Sequence, residues 1–298
     1  MSKITIYSRA CQEVAGFEKM GEEFTRKLVI NNRARSTHEN YLRQMARLSL
    51  HYGRNPLELN YNELEEYLYF LVKKDTGSMS SYKHLVYGLR KLYRLFDKEE
   101  LLLHLPRLRA SGKLPVVLST GEVKRLFKAI GNIRERVLFG LAYDTGLRID
   151  ELVNILISDV DLERKQLHVR KTKSKKERYV PLSGLMVRGI KKHLALNSPR
   201  DYLFDHVDRK GIPISKTRVR CLLKEAVSKA GIKKEVCVHT FRHTYATHQL
   251  EAGQNIMTLK DSLGHADIRT TLVYLHVARL DATSKFGCLE ALYGKVDE

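Results

Sequence analysis

Only one stretch of this chain clearly abandons the helical period. "QLHVRKTKSKKERYVPL" (residues 166–182) alternates on either side of a polar, basic centre, the pattern of two short strands joined by a turn. The other patterned segments repeat every 3.6 residues, which restricts the chain to a mainly α architecture with a small β-hairpin or sheet. "STHENYLRQMARLSLHYG" (36–53) opens on Ser36 or Thr37 as a cap and stops at Gly53, with Tyr41, Leu42, Met45 and Leu48 on one face. "NELEEYLYFLVKK" and "SSYKHLVYGLRKLYRLF" repeat the theme. Arg43, Arg47, Lys83, Arg90, Lys91 and Arg94 lie between the apolar positions, so one face of these helices is core and the other basic.

"HLPRLRASGKLPVVL" (104–118) interrupts the pattern with Pro106, Gly112 and Pro115, and carries Arg107, Arg109 and Lys113. It divides the chain into a helical domain at 1–105, a linker at 106–117 and a second domain at 118–298 with a tail from about 277. Two domains also suit 298 residues. The second domain opens on "STGEVKRLFKAI", where Ser119 and Glu122 have capping-box spacing. "RERVLFGLAYDTG" follows and stops at Gly146, and helices resume after the hairpin near Ser183.

Charge narrows the partner. The formal net charge is +19, divided as +4 over residues 1–105 and +15 over the remainder. Such an excess points to a polyanion, nucleic acid first, or else to a basic protein kept soluble by its charge. A basic linker between basic domains suits a clamp around a duplex; a surface loop is the alternative. Cys11, Cys221, Cys237 and Cys288 have neither metal-ligand spacing nor a disulfide framework and read as reduced thiols of a cytosolic protein. No apolar run approaches a membrane span, and no signal-peptide pattern is present.

Four stretches carry residues capable of chemistry. In "DTGLRIDEL", Arg148 stands at a helix start, where its donors add to a phosphate-binding N-terminus, or where it pairs with Asp150 or Glu151. In "HTFRHTYATHQLEAG", His239 and Arg242 share a helix face, while Phe241, Tyr245 and Ala252 read as core. His239 and His243 have metal-ligand spacing, but no third ligand completes a site, so no metal is expected. In "RKTKSKKER" a lysine could reach a phosphate and donate a proton, or the run is a solvated turn. In "LGHADIRTTLVYLHV", Gly264 stops a helix and Asp267 caps the next at Ile268, with Leu272, Val273 and Leu275 as core. Tyr274 lies among them, preceded by His265 and followed by His276; its hydroxyl is either a satisfied core donor or a reactive oxygen.

Arg, Lys, His-x-x-Arg, His and Tyr in this order, in "TGLRIDEL", "KTKSKKERYVPL", "HTFRHTYATHQLEAG" and "LGHADIRTTLVYLH", resemble the tyrosine recombinases, the phage integrases and Xer-type enzymes. The resemblance covers the second half; the first half is similar, more weakly, to the family's helical core-binding domain. It implies a two-domain DNA clamp, with catalytic residues at Arg148, Lys173, His239, Arg242, His265 and Tyr274. Thr172 and Ser174 stand where the family often has glycine, and Lys171, Lys175 and Lys176 lie close enough to share the lysine role.

The implied chemistry is cleavage and rejoining of DNA through a 3′-phosphotyrosine on Tyr274, with no ATP, metal or cofactor. Arg148 and Arg242 would neutralise the phosphate, His239 and His265 would hydrogen-bond it, and Lys173 would protonate the leaving 5′-oxygen. The implied partners are double-stranded DNA and further protomers, four on two duplexes, in the cytoplasm at the nucleoid and away from membranes. A type IB topoisomerase-like relaxing enzyme and a DNA-binding protein without catalysis remain the alternatives. Past Tyr274, the tail could form a last helix carrying Phe286, Leu289, Leu292 and Tyr293, docked in cis or on a neighbouring protomer.

Overall fold

The computed structural model describes residues 4–31, 35–73, 79–102, 105–106, 114–170 and 177–279. Lys173 with the hairpin centre, most of the linker and the tail beyond Arg279 lie outside the described residues. Contacts group the chain into two compact units, Met1–Ser111 and Gly112–Glu298.

The first unit consists of helices α1 (Ile6–Glu13), α2 (Phe17–Ile30), α3 (Arg35–Tyr52), α4 (Tyr61–Lys73), α5 (Met79–Leu95) and the single turn α6 (Glu99–Leu102). Apolar stripes at i, i+3 and i+4 close around one core: Phe17, Phe24 and Leu28 of α2 meet Met45 and Leu48 of α3 and Leu85, Leu89 and Tyr93 of α5. α3 begins at Arg35, so Ser36 and Thr37 lie inside its first turn and do not cap it from outside. Asn60 caps α4 reciprocally: its Oδ1 accepts the Glu63 amide at 3.0 Å, and Glu63 Oε2 accepts the Asn60 amide at 2.9 Å. Arg43, Arg47 and Arg94 face solvent as the pattern requires. Arg90 instead bends back to donate to the carbonyls of Leu105 and Pro106.

The second unit begins with α7 (Thr120–Ala129), α8 (Ile133–Thr145) and α9 (Ile149–Val153). Ser119 and Glu122 form the expected capping box on α7. A three-stranded antiparallel sheet follows, β1 (Val160–Asp161), β2 (Gln166–Val169) and β3 (Arg178–Pro181), in the order β1-β2-β3. β2 and β3 are the two arms of the expected hairpin, in a register that pairs Leu167 with Val180 and Val169 with Arg178. β1 pairs with β2 through two residues only, too short to leave a periodic signal. The chain then continues through α10 (Gly184–Asn197), α11 (Lys216–Lys229), α12 (Val238–Glu251), α13 (Ile256–Leu263), α14 (Arg269–Leu272) and a 3₁₀ turn, Val273–His276.

Two apolar cores serve this unit. The larger joins α7, α8 and the sheet to α10 and α11, with Phe139 stacked on Phe241 of α12. The smaller collects Tyr245, Ala246 and Leu250 of α12, Leu259 and Leu263 of α13, and Tyr274. No described helix is long and apolar enough to cross a membrane.

Three core expectations need correction. Leu272 and Val273 are 39% and 41% exposed, whereas Tyr274 is 3% exposed. The reason is geometric: the helix after Asp267 lasts one α turn and tightens to three residues per turn, so the inward direction falls on Tyr274. Ala252 is also exposed, because α12 ends at Glu251 before that face meets the core.

Candidate active site

Four chain segments converge beneath α12. α8 ends at Thr145 with Gly146 as its cap, α9 opens just after Arg148, α13 ends at Leu263, and the 3₁₀ turn carries Tyr274. Arg242 on α12 ties two of these ends together. Its Nη1 donates to Gly146 O at 2.8 Å and its Nη2 to Leu263 O at 2.6 Å. These are the last carbonyls of two helices, which lack intrahelical donors and carry the negative ends of the helix dipoles, so a buried guanidinium is favoured there. Arg242 is fully buried, and its Nε finds no hydrogen-bond partner among the described residues. Burial, then the nearby charge of Arg148, lowers its pKa to about 10, which still leaves it charged at neutral pH.

Arg148 keeps about a third of its side chain in solvent and pairs with Glu151, Nη1 to Oε1 at 3.1 Å. Of the two acids weighed for it, Glu151 is the partner; Asp150 pairs with Lys216. The Glu151 side chain is 1% exposed, and among its hydrogen bonds are four to Arg148 and Arg178. Oε1 takes Arg148 Nη1 and Arg178 Nη1, both at 3.1 Å, and Oε2 takes the Arg148 amide and Arg178 Nη2, both at 2.9 Å. Burial alone would raise this carboxyl's pKa, but the hydrogen bonds and charges of Arg178 and Arg148 outweigh it and hold it below the ordinary value. Among the described residues the cluster therefore sets three guanidinium groups against the Glu151 carboxylate, an excess of positive charge.

The histidines line the same space. His239 stands at the solvent-facing edge of α12 and meets His243 edge-on, ring centres 4.5 Å apart. Partial loss of solvent, then the charges of Arg242 and Arg148, lowers its pKa. His265, from the turn after Gly264, shares a hydrogen bond with Thr271 Oγ1 at 2.8 Å and lies nearly parallel to the Tyr274 ring. Its pKa is depressed to about 3, by burial first and then by the surrounding arginines, so its ring is neutral at physiological pH.

The Tyr274 hydroxyl lies 3.1 Å from His243 Nδ1. Burial raises the phenol's pKa, opposed by the charge of Arg242, a hydrogen bond from it, and the charge of Arg148. His243 has its pKa pushed down to about 4 by burial, then by His239 and Arg242, so it is neutral. With the ring proton assigned to Nε2, Nδ1 accepts the tyrosine O–H, which answers half of the question its sequence raises: Tyr274 is a core residue with a satisfied hydroxyl, placed beside two arginines.

Of the six residues singled out in the sequence, Arg148, His239, Arg242, His265 and Tyr274 thus share one site, and Lys173 lies outside the described residues. Two further groups at the site were not read from the sequence. His243 was weighed only as half of a metal pair, although it shares a helix turn with His239 and Arg242. Arg178 left a usable signal: the β3 alternation puts it on the same side as buried Val180, opposite buried Val169, where a charge demands a partner.

Residues 117–280 match the phage integrase family, and residues 20–102 match the phage integrase N-terminal SAM-like domain. A tyrosine recombinase of Thermosipho africanus is 31% identical over 287 residues, covering 90% of this chain and 99% of that protein. The tyrosine recombinase XerA of Thermococcus onnurineus is 36% identical over 219 residues, 70% of this chain and 76% of its own length. Among solved structures, a XerA recombinase is 28% identical with a TM-score of 0.52, covering 92% of this chain and 97% of that one. A lambda integrase dimer bound to a core site shares the fold, with a TM-score of 0.71 at 18% identity over 90% of this chain and 97% of that one. By the extent of these matches over both halves, the chain belongs to the phage integrase family of tyrosine recombinases.

Proposed function

We propose that this site-specific recombinase cleaves and rejoins duplex DNA with Tyr274 as nucleophile. The observation that carries the reading is the placement of the Tyr274 oxygen, the Arg242 guanidinium and the Arg148 pair in one pocket with an excess of positive charge. The Tyr274 oxygen attacks the scissile phosphorus, its proton passes to a neutral histidine ring of the site, and the bond from phosphorus to the 5′-oxygen breaks. The product is a 3′-phosphotyrosine that conserves the phosphodiester bond energy for rejoining. Arg242 and Arg148 hold the non-bridging oxygens and neutralise the charge that grows on them, with the Arg242 Nε–H as one available donor. Neutral His239 and His265 add hydrogen bonds. Lys173 protonates the 5′-oxygen as it leaves.

Before DNA arrives, the phenol rests on His243 and is almost fully buried. Attack therefore requires the segment carrying Tyr274 to shift its oxygen from Nδ1 toward the phosphate. The 1–105 domain and the 118–298 domain, joined by the basic 106–117 linker, close around the duplex, and four protomers assemble on two duplexes in the cytoplasm, at the nucleoid. The net charge of +19 and the solved relatives described with DNA support this part of the reading.

The test uses two labelled duplexes carrying the same target site, incubated with the full chain without ATP or divalent cation. Strand exchange between them, with a protein–DNA adduct captured on a nicked duplex, is the expected result. Adduct and supercoil relaxation without exchange would make it a topoisomerase, and tight binding without any adduct would make it a binding protein.

A further inference from the structure

We infer that Arg178 is a positioning residue for cleavage: it clamps Glu151 and so keeps Arg148 aimed at the scissile phosphate. Arg178 donates hydrogen bonds to Glu151 and to Ser262 O. It acts through the carboxylate. Its Nη1 and Nη2 grip both Glu151 oxygens in a planar fork, and its Nε donates to Ser262 O at 2.7 Å in the last turn of α13. Its side chain is 9% exposed, and that of Glu151 1%. The guanidinium also fills the space beside Gly264, where an added Cβ would lie 2.9 Å from Nη1.

The arrangement matters because Arg148 has only one side-chain bond to Glu151. Without the Arg178 fork the carboxylate could rotate and take the second donor of the Arg148 guanidinium, drawing it away from a phosphate. The Arg178 fork fixes the carboxylate plane and occupies one lone pair on each oxygen. Glu151 then anchors Arg148 without consuming its remaining donors, and the Arg178 charge weakens the pull of Glu151 on Arg148. Arg178 is also the first residue of β3, directly downstream of Glu177 and the lysine run. One side chain thus connects the hairpin arm to the start of α9 and to the turn before His265. Lysine cannot replace it, since a single ammonium cannot make the bidentate grip and the Ser262 bond together.

The inference rests on Arg148 being a phosphate ligand, and the experiment separates the two ideas. Single-turnover cleavage is measured at saturating protein on a nicked duplex with either an ordinary phosphodiester or a methylphosphonate at the scissile position. The methyl group removes the negative charge that an arginine neutralises. Arg178→Lys, Glu151→Gln and Arg148→Ala are compared with the parent chain as the ratio of the two rates. The ratio comes from one preparation, so it does not depend on the fraction of protein folded.

For Arg178→Lys, phosphodiester cleavage should fall on the order of 100-fold, the cost of a misaimed group. Methylphosphonate cleavage should fall far less, and duplex affinity should stay nearly unchanged. Glu151→Gln should shift the ratio the same way, and it carries the test if the lysine variant does not fold. Equal losses on both substrates would make Arg178 a structural residue and overturn the inference, as would no loss on either. An unchanged ratio for Arg148→Ala would instead remove Arg148 from the phosphate, and the role of Arg178 with it.

Discussion

Replacing Gly264 by alanine separates backbone strain from damage to the site, provided Gly253→Ala is measured beside it. Both glycines are left-handed, with φ +64° and +85°, so alanine at either costs roughly 1–2 kcal/mol of backbone strain. A Cβ on Gly253 meets nothing within 4 Å. A Cβ on Gly264 lies 2.9 Å from Arg178 Nη1 and 3.1 Å from its Cζ, and that guanidinium is pinned by three hydrogen bonds. Relieving the contact sacrifices at least one charge-assisted bond, a further ~1.5–3 kcal/mol. Gly264→Ala should therefore cost about 2.5–5 kcal/mol against about 1–2 for Gly253→Ala. Differential scanning calorimetry of the full chain reads both, and adduct yield on a nicked duplex reads the site. The expected pattern is a larger loss of stability and a loss of cleavage for Gly264→Ala, with cleavage retained by Gly253→Ala. Equal destabilisation with cleavage intact in both would refute the reasoning, because Gly264 would then matter only as a helix stop.

Acid should weaken the catalytic unit through its buried histidines. Their pKa values, about 4 for His243 and about 3 for His265, lie below the unfolded value, so neutral burial favours folding above roughly pH 6.5 and this contribution is lost as pH falls toward those values. Melting temperature should drop between pH 6.5 and 4, and His243→Asn should flatten that slope; a flat parent profile would contradict it. Lys173→Ala should slow cleavage of a normal duplex far more than of one with a 5′-bridging phosphorothiolate, whose sulfur leaves without a proton. Equal slowing would make Lys173 a phosphate contact only, or pass the acid role to Lys171 or Lys175. Binding to duplex should weaken steeply with salt, each neutralised phosphate adding about 0.9 to the log–log slope, and a slope near zero would remove the clamp.

The sequence made the helices and the hairpin legible because their apolar stripes are long and their caps, such as Ser119–Glu122, are local. It failed where tertiary contacts chose the register. The segment after Asp267 reads as an ordinary amphipathic helix with Leu272 and Val273 inside, yet its tightening to a 3₁₀ turn reverses that choice and buries Tyr274. β1 escaped notice because a two-residue strand has no period. At the site, motif order points to six residues, of which five lie among the described residues and share one site. The groups that arrange them were less visible. His243 meets the phenol hydroxyl through a ring nitrogen, and Arg178 meets Glu151 across 27 residues of sequence. Such pairs form only when the chain has folded: the strand alternation marks Arg178 as inward-facing, but nothing in the spacing names its partner.

The covalent assignment is tested most directly by identifying the residue joined to DNA. The adduct trapped on a nicked duplex is digested with protease and nuclease, and the nucleotide-bearing peptide is sequenced by mass spectrometry. The expected result is a 3′-phosphotyrosine on Tyr274, and no adduct from Tyr274→Phe although that variant still binds the duplex. A nucleotide on Tyr245 or on any other residue, or an adduct that survives Tyr274→Phe, would contradict it.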